Sequence, residues 1–286
     1  MRLGVCGMLP EFRSIQHQHL EAIRALGLTG AAYHVDGQQL FDVTTAECER
    51  VRTVYAEAGM DQPQFAIGFG ECLFDPDSGT RDYLITKIKR GVEVARQVAA
   101  FTCLIRTGSL NPSGSYSPCR ENHEPASRER LVDTLKKVAA KAEEEGVTVI
   151  LETHALTIMG SPEINKAIIE EVGSARMGVV MDYVNHFQSM AQVWDSTARL
   201  NHIFDHMGPI SPLGHCKDLV VKSGLVLHID EAIPGDGELD MVTALQRWQE
   251  GHPDDYMLLE HLANDRYPRA ASNVRRICEE AGIDIH

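Results

Sequence analysis

Short apolar runs alternate with longer amphipathic segments from one end of the chain to the other. The run at residues 147–151 is apolar or β-branched throughout, which is typical of a strand buried on both faces. The segments between the runs repeat apolar residues at helical spacing, as in residues 15–26, and several stop at a glycine. Eight such pairs without a break in composition predict a parallel α/β fold. The number of pairs favours a closed (β/α)8 TIM barrel, formed as a single domain by residues 1–286.

Two segments depart from this alternation. Residues 107–125 are rich in Ser, Pro, Gly and Asn and predict either a loop over the mouth of the fold, such as a lid, or a disordered surface loop. After the seventh strand, residues 219–221 and 225–227 flank Lys-Ser-Gly and predict an inserted β-hairpin. The strands are predicted at 3–6, 29–35, 64–68, 102–106, 147–151, 177–181, 212–214 and 256–259, and the helices at 15–26, 44–58, 83–100, 127–145, 162–172, 191–206, 239–248 and 267–281.

The predicted fifth to eighth strands each end in a side chain that can bind a metal ion, namely Glu152, Asp182, His215 and Glu260. A carboxylate at the end of a buried strand is costly unless a positive charge compensates it. TIM barrels place their chemistry at these strand ends, and neighbouring strands are about 5 Å apart, so four of them can converge on one ion. Three carboxylates and one imidazole suit Mn²⁺, Mg²⁺ or Co²⁺ better than a structural zinc. The alternative is four unrelated polar residues.

Five runs surround these positions, and they read Leu151-Glu152-Thr153-His154, Met181-Asp182-Tyr183-Val184-Asn185-His186, His215-Cys216-Lys217-Asp218, Pro234-Gly235-Asp236-Gly237 and Leu259-Glu260-His261. Together they resemble the xylose-isomerase-like TIM-barrel superfamily. That group includes sugar (phosphate) isomerases and epimerases, ketose 3-epimerases, hydroxypyruvate isomerase, inosose dehydratase and endonuclease IV. The resemblance implies metal ligands at Glu152, Asp182, His215 and Glu260, and implies that the two glutamates also act as the catalytic acid/base pair.

Two residues near these ligands are candidate substrate contacts. His186 resembles the substrate-binding histidine of the family, although it follows Asp182 by four residues where epimerases commonly have Asp-x-x-His. Lys217 shares a strand face with His215, so it either reaches the substrate or pairs with Asp218 or a neighbouring carboxylate.

Two further candidates come from other strand ends. His154 shares a face with Glu152 and serves either as a substrate contact or as a partner of the metal ligand. Arg106 ends the fourth strand, where it binds an anionic or hydroxylated substrate or forms a structural salt bridge.

Two apparent motifs point elsewhere. His202 and His206 are one helical turn apart but lack the glutamate of His-Glu-x-x-His, so a helix-surface or packing role is the preferred interpretation. Residues 108–115 lack the Gly-Lys-Ser/Thr of a phosphate-binding loop. We therefore expect an unphosphorylated substrate.

The leading hypothesis is an isomerase or epimerase that moves a proton next to the carbonyl of an unphosphorylated keto sugar or keto polyol through an enediolate. It needs one divalent ion, with Mn²⁺ preferred over Mg²⁺ and Co²⁺. The runner-up is a lyase or dehydratase that acts on a keto-inositol or a 3-keto-glycoside with the same site. An abasic-site endonuclease and a non-catalytic sugar-binding barrel are the alternatives from other classes.

The net charge of −14, from 41 acidic and 27 basic residues, argues against nucleic acid as a partner. No signal peptide and no membrane-spanning run are recognisable. The seven cysteines form no CxxC pair, which indicates a reduced compartment, so a cytoplasmic protein with no membrane partner is expected. The resemblance also implies a homo-oligomer, either a dimer or a tetramer.

Overall fold

The computed structural model describes residues 1–286, and eight parallel strands close into a barrel. Hydrogen-bonded neighbours run from β1 through β7 in chain order, and β10 closes the ring between β7 and β1. The predicted (β/α)8 barrel is therefore confirmed. The strands are β1 (Arg2–Cys6), β2 (Gly30–Asp36), β3 (Gln64–Gly68), β4 (Thr102–Arg106), β5 (Thr148–Glu152), β6 (Met177–Met181), β7 (Leu213–Cys216), β8 (Asp218–Lys222), β9 (His228–Ala232) and β10 (Tyr256–Leu259).

Helices connect the strands on the outside of the barrel. Several end at a glycine in the left-handed conformation, such as Gly146 with φ 69°, where a residue with a Cβ would be strained. No helix combines the length and the apolar composition that crossing a membrane requires. The helices are α1 (His17–Arg24), α2 (Thr45–Ala58), α3 (Ser78–Gln97), α4 (Pro125–Glu145), α5 (Pro162–Val172), α6 (Met190–Trp194), α7 (Ser196–Met207), α8 (Met241–Gly251) and α9 (Tyr267–Ala281).

The hydrophobic core has two layers. The larger layer lies between the barrel and the helices, and a smaller cluster fills the barrel interior. Because side chains alternate along a strand, the residue two positions after an interior residue also points inward. The interior cluster contains Ala32, Ala66, Leu104, Ile150, Val180, Leu213, Tyr256 and Leu258.

The hairpin after β7 is confirmed, but its second strand was predicted in the wrong place. β8 pairs antiparallel with β9 (His228–Ala232), and residues 225–227 form the exposed tip. The Asp218 carboxylate at the base of the hairpin accepts hydrogen bonds from the backbone N–H groups of Gly235 and Gly237. These hydrogen bonds hold the chain that follows β9 against the base of the hairpin. Residues 225–227 therefore lie outside the paired strands, although their aliphatic side chains are typical of a strand.

The two larger differences among the helices concern a break and a start. The helix predicted at 191–206 is two helices, α6 and α7, because the backbone of Asp195 leaves the helical region at φ −109° and ψ 50°. Helix α3 begins five residues earlier than predicted, at Ser78. There the Asp77 carboxylate accepts the Thr80 N–H at 2.8 Å and caps the helix.

Candidate active site

Strand alternation brings the four predicted ligands to the mouth of the barrel. Glu152 follows the interior residue Ile150 by two positions, and Asp182 follows Val180 in the same way. His215 and Glu260 stand in the same relation to Leu213 and Leu258. All four side chains are buried. If one of them pointed away from the barrel axis, the apolar residue two positions earlier on the same strand would also leave the barrel interior.

Three of them form one compact cluster. The ligand atoms of Asp182, His215 and Glu260 all lie within 4.8 Å of one another. The imidazole Nδ1 of His215 is 2.8 Å from Glu260 Oε2 and 3.5 Å from Asp182 Oδ2. Its other ring nitrogen, Nε2, lies 2.9 Å from Gln64 Oε1. Since an amide oxygen only accepts, Nε2 carries a proton and Nδ1 faces the carboxylates, which is the orientation of a metal-ligating histidine.

The fourth predicted ligand belongs to an overlapping cluster. Glu152 groups with Glu260 and His261, again with ligand atoms within 4.8 Å of one another. Glu260 is therefore common to both groups. His261 was not among the predicted site residues. Its backbone is left-handed with φ 57°, which is unusual for a residue other than glycine.

Lys217 supplies one positive charge to these carboxylates. Its Nζ lies 2.6 Å from Asp182 Oδ2 and 2.9 Å from Glu260 Oε2, and its side chain is almost fully buried. Of the two interpretations of Lys217, the ion pair with neighbouring carboxylates is thus observed. Asp218 is not its partner, because that carboxylate binds backbone N–H groups instead.

Burial opposes the charged form of every group in the cluster, but the opposite charges outweigh it. The carboxylates of Glu260 and Asp182 raise the pKa of His215 to about 9. Lys217 and His215 lower the pKa of Asp182 and hold the pKa of Glu260 well below its usual range. The two carboxylates are accordingly ionised at neutral pH, as metal ligands must be.

The cluster keeps buried polar atoms without hydrogen-bond partners. They are Asp182 Oδ1, His215 Nδ1 and Glu260 Oε2. Nδ1 and Oε2 are close in distance but not aligned as donor and acceptor. Unsatisfied polar atoms rarely persist in a protein interior, and three in one cluster fit a site that completes its bonding with a cation. Oxygen-rich ligands with one imidazole suit Mn²⁺ or Mg²⁺.

The loop 107–125 covers the mouth of the barrel, as one of its two interpretations predicted. Tyr116 at its tip donates a hydrogen bond to Glu152 Oε2 at 2.7 Å. Inside the loop, the fully buried Asn122 accepts the Leu110 N–H at 2.9 Å and donates to Ser109 Oγ at 3.0 Å. This internal network gives the loop a defined conformation over the site.

Two predicted substrate contacts lie against Tyr116. The centres of the His154 and Tyr116 rings are 5.7 Å apart. The Arg106 guanidinium carbon is 5.3 Å from the centre of the same ring, and Arg106 forms no salt bridge. Arg106 also lines a cavity of about 540 Å³ at the β1–β2 side of the mouth. Both side chains therefore lie at the mouth of the barrel next to Glu152.

His186 is placed differently. Its side chain has no exposed surface, and Nε2 lies 2.9 Å from Thr153 Oγ1. The amide oxygen of Asn165 also fits against Thr153 and His186, with its nitrogen then donating to Met159 O at 2.9 Å. In this conformation His186 packs against the residue that follows β5 and does not face the barrel mouth. Its binding of substrate stays a prediction.

A cavity of about 450 Å³ opens between the loops after β5 and β6 and the hairpin. Its wall is mostly apolar and includes Val184, Phe187 and Leu227. His154 and Glu231 line it as well. Glu231 is 3.8 Å from the Nζ of Lys217, so the cavity lies beside the cluster. Glu231, Tyr116 and Gln64 were not predicted, since nothing in the sequence places them beside the strand ends.

The family model of the xylose isomerase-like TIM barrel matches residues 20–281 of this chain. That match covers most of the chain, including all four predicted ligands. No sequence among the curated proteins matches the chain.

Several solved structures share the fold. The 3-keto-D-glucoside 4-epimerase YcjR of E. coli has a TM-score of 0.71 at 15% identity, covering 98% of this chain and 99% of its own. A D-psicose 3-epimerase solved in the presence of D-fructose has a TM-score of 0.69 at 14% identity, covering 98% of both chains. A xylose isomerase-like protein from Mycobacterium smegmatis in complex with magnesium has a TM-score of 0.71 at 16% identity, covering 98% of this chain and 96% of its own. At these identities the likeness concerns the fold.

Proposed function

The chain belongs to the xylose isomerase-like TIM barrel family, and from that membership we propose that it is a divalent-metal-dependent isomerase or epimerase of an unphosphorylated keto sugar or keto polyol. The observation that carries the proposal is the buried cluster of Asp182, His215 and Glu260 at the mouth of the barrel, whose ligand atoms lie within 4.8 Å of one another and include three without a hydrogen bond. Two structural neighbours named as sugar epimerases and one in complex with magnesium support it.

Glu152, Asp182, His215 and Glu260 would hold the ion. When bound, a divalent cation such as Mn²⁺ supplies positive charge for a substrate oxygen that becomes negative during the reaction. Lys217 already lies between Asp182 and Glu260 as an ammonium group, which supports a preference of this position for cations.

Glu152 and Glu260 are the proposed proton-transfer pair. They stand on different strands, and their carboxylate oxygens lie within 4.8 Å of one another. One glutamate, as the carboxylate, removes the proton next to the substrate carbonyl, and the other, as the carboxylic acid, gives its own proton to the neighbouring position or to the opposite face. Proton exchange with solvent then restores the pair. The low pKa of Glu260 keeps it ionised, so it enters the reaction as a carboxylate. The Tyr116 hydroxyl orients the carboxylate of Glu152 by donating a hydrogen bond to Oε2.

The side chains of the 450 Å³ cavity support an uncharged substrate. The ammonium group of Lys217 is neutralised by Asp182 and Glu260, and Arg106 packs over the Tyr116 ring. The 450 Å³ cavity has an apolar wall and no lysine or arginine. A phosphate group there would lose its hydration without gaining a charged partner.

A lyase acting on a 3-keto-glycoside is the second candidate. The same cavity has room beyond the carboxylates for a departing group, and the apolar wall suits one that is not itself a sugar. Both reactions begin with removal of the proton next to the carbonyl, and they differ in whether a bond to oxygen then breaks.

The test is to incubate the Mn²⁺-loaded protein in D₂O with a panel of ketoses, inososes and 3-keto-glycosides and to follow the products by NMR. We expect an isomer that carries deuterium next to the carbonyl. Glu152→Gln and Glu260→Gln should abolish the exchange, whereas Glu144→Gln on the exposed face of α4 should not. Release of water or an aglycone would establish the lyase instead. An isomer free of deuterium, formed with no release of water or aglycone, would contradict both.

A further inference from the structure

A second group of metal-ligating side chains lies on the outer surface, away from the mouth of the barrel. It consists of Glu163 on α5 and of His202 and His206 on the neighbouring helix α7. Their ligand atoms all lie within 4.8 Å of one another. The two helices pack side by side, so the group bridges their contact. None of these residues takes part in the proposed reaction.

The helix geometry of α7 aligns the two imidazoles. His202 and His206 are four residues apart, so they lie on the same face of the helix one turn apart. Their ring centres are 4.6 Å from each other. Two histidines at this spacing form the paired ligands of helical metal sites.

The hydrogen bonding of His206 leaves one nitrogen free to bind. Its Nδ1 lies 2.9 Å from the backbone carbonyl oxygen of His202. A carbonyl oxygen only accepts, so Nδ1 carries the proton and Nε2 keeps its lone pair. A ring nitrogen held by a backbone carbonyl, which leaves the other nitrogen without that bond, is the usual arrangement of a metal-ligating histidine.

Glu163 brings a carboxylate to the same point from the other helix. Its Oε1 lies 2.6 Å from the Nε2 of His202, and both side chains are about half exposed. The sequence could not show this partner, because Glu163 precedes His202 by 39 residues and is not the glutamate of a His-Glu-x-x-His helix. The packing of α5 on α7 supplies the acidic ligand that the motif lacks.

We propose that Glu163, His202 and His206 bind one transition metal ion, with Zn²⁺ as the preferred ion, at the contact between α5 and α7. Two imidazoles and one carboxylate with a water molecule complete a tetrahedral set for Zn²⁺, and the same imidazoles suit Ni²⁺ or Cu²⁺. The cluster in the barrel is richer in carboxylates and favours Mn²⁺ or Mg²⁺. The two sites therefore differ in the ions that they select.

An ion bound there would also hold together the two helices that contact the residues behind the barrel mouth. On α7, Arg199 donates a hydrogen bond to the carbonyl oxygen of His186 at 2.7 Å. On α5, Asn165 packs against Thr153 and His186. An ion that joins the two helices outside this contact stabilises the folded state and should raise the melting temperature.

The experiment uses tag-free protein loaded with Mn²⁺ and dialysed against Zn²⁺, with zinc per chain measured by elemental analysis. The variants are His202→Gln, His206→Gln and, on the other helix, Glu163→Gln. His17→Gln is the matched control, because His17 also pairs with a glutamate on an exposed helix face, at 3.4 Å, but has no second imidazole in such a group. We expect each histidine variant to hold one zinc fewer per chain than the wild type and the control, and Glu163→Gln to bind that zinc more weakly.

Melting curves provide a second measurement that does not depend on counting ions. Zn²⁺ should raise the melting temperature of the wild type and of His17→Gln more than that of His206→Gln, and Mg²⁺ should not distinguish them. Circular dichroism checks that each variant is folded. Equal zinc content and equal zinc-induced shifts in the wild type and both histidine variants would overturn the proposal and leave Glu163 and His202 as a surface ion pair only.

Discussion

Lys217 lies between two buried carboxylates, and both of them are proposed metal ligands. Its Nζ contacts Asp182 Oδ2 and Glu260 Oε2, so a divalent ion that reaches these atoms must displace the ammonium group. Removing one partner of a buried ion pair costs about 3–5 kcal/mol, because the remaining charge is left uncompensated.

We therefore predict opposite effects of Lys217→Met on the metal-free and metal-bound protein. The free energy of unfolding without metal should fall by about 3 kcal/mol or more, because two carboxylates lose their counter-charge. The affinity for Mn²⁺ should rise, because the competing cation is gone. Urea unfolding and Mn²⁺ titration measure the two effects, with Lys222→Met at the exposed end of β8 as the control. An unchanged or weaker Mn²⁺ affinity would show that Lys217 does not occupy the ion's position.

Tyr116 is the one loop residue that holds a proposed catalytic carboxylate. We predict that Tyr116→Phe lowers turnover by about tenfold or more, because a hydrogen bond to a charged group is worth about 1.5–3 kcal/mol. Tyr83→Phe is the matched control, since the Tyr83 hydroxyl also donates to a side chain, Gln38, on the surface at 2.6 Å. Turnover that is equal in the two variants would remove Tyr116 from the site.

At the residue scale, strand alternation was enough to predict which side chains face the barrel mouth. Glu152 and His215 could be found because each follows a buried apolar run. Their partners could not. Gln64 is 151 residues from His215, and Tyr116 lies in an irregular loop whose course depends on Asn122. No local pattern encodes such contacts.

The hairpin and the turn that follows it depend on one buried carboxylate. Asp218 accepts backbone hydrogen bonds from Leu219, Gly235, Gly237 and Leu239. A Cβ at position 237 would lie 2.3 Å from Asp218 Oδ1 and 2.5 Å from the Leu219 carbonyl oxygen, which is too close for either group.

We predict that Gly237→Ala destabilises the protein by about 1–3 kcal/mol, because the turn must move away from the carboxylate. Gly251→Ala is the control, as a Cβ there meets nothing within 4 Å. Urea unfolding gives both values. A loss no greater than that of Gly251→Ala would mean that the turn adapts freely and does not fix the hairpin.

At the scale of elements, the strands were the most predictable part. The strands at 64–68, 102–106, 177–181 and 256–259 have the predicted bounds, because runs buried on both faces leave little ambiguity. The hairpin strand predicted at 225–227 was wrong, since three aliphatic residues at an exposed tip look like a strand. The break at Asp195 was missed for a similar reason, as apolar spacing continues across it.

At the scale of the whole molecule, protonation and metal binding are coupled through the cluster. The carboxylates of Glu260 and Asp182 outweigh burial and raise the pKa of His215 to about 9, above its ordinary value of 6.5. A raised pKa in the folded state stabilises the metal-free protein fully below pH 6.5, and this contribution is lost as the pH rises through 9.

A metal ion needs the Nδ1 of His215 without its proton, so we predict that Mn²⁺ affinity rises as the pH increases towards 9. The limiting slope from one displaced proton is about tenfold per pH unit. Calorimetric titration in buffers with different ionisation enthalpies counts the protons that are released. An affinity that is flat between pH 7 and 9 would show that His215 is neutral before the ion binds.

The most direct test of the account is a Mn²⁺ titration followed by electron paramagnetic resonance, because the proposed chemistry requires one ion at the strand ends. We expect one Mn²⁺ per chain in the wild type, and a loss of affinity of at least a hundredfold in Asp182→Asn and in His215→Gln. His206→Gln, outside the barrel, should bind Mn²⁺ as the wild type does. Undiminished binding in Asp182→Asn and His215→Gln, or no bound Mn²⁺ in the wild type, would contradict the metal centre on which the proposed function rests.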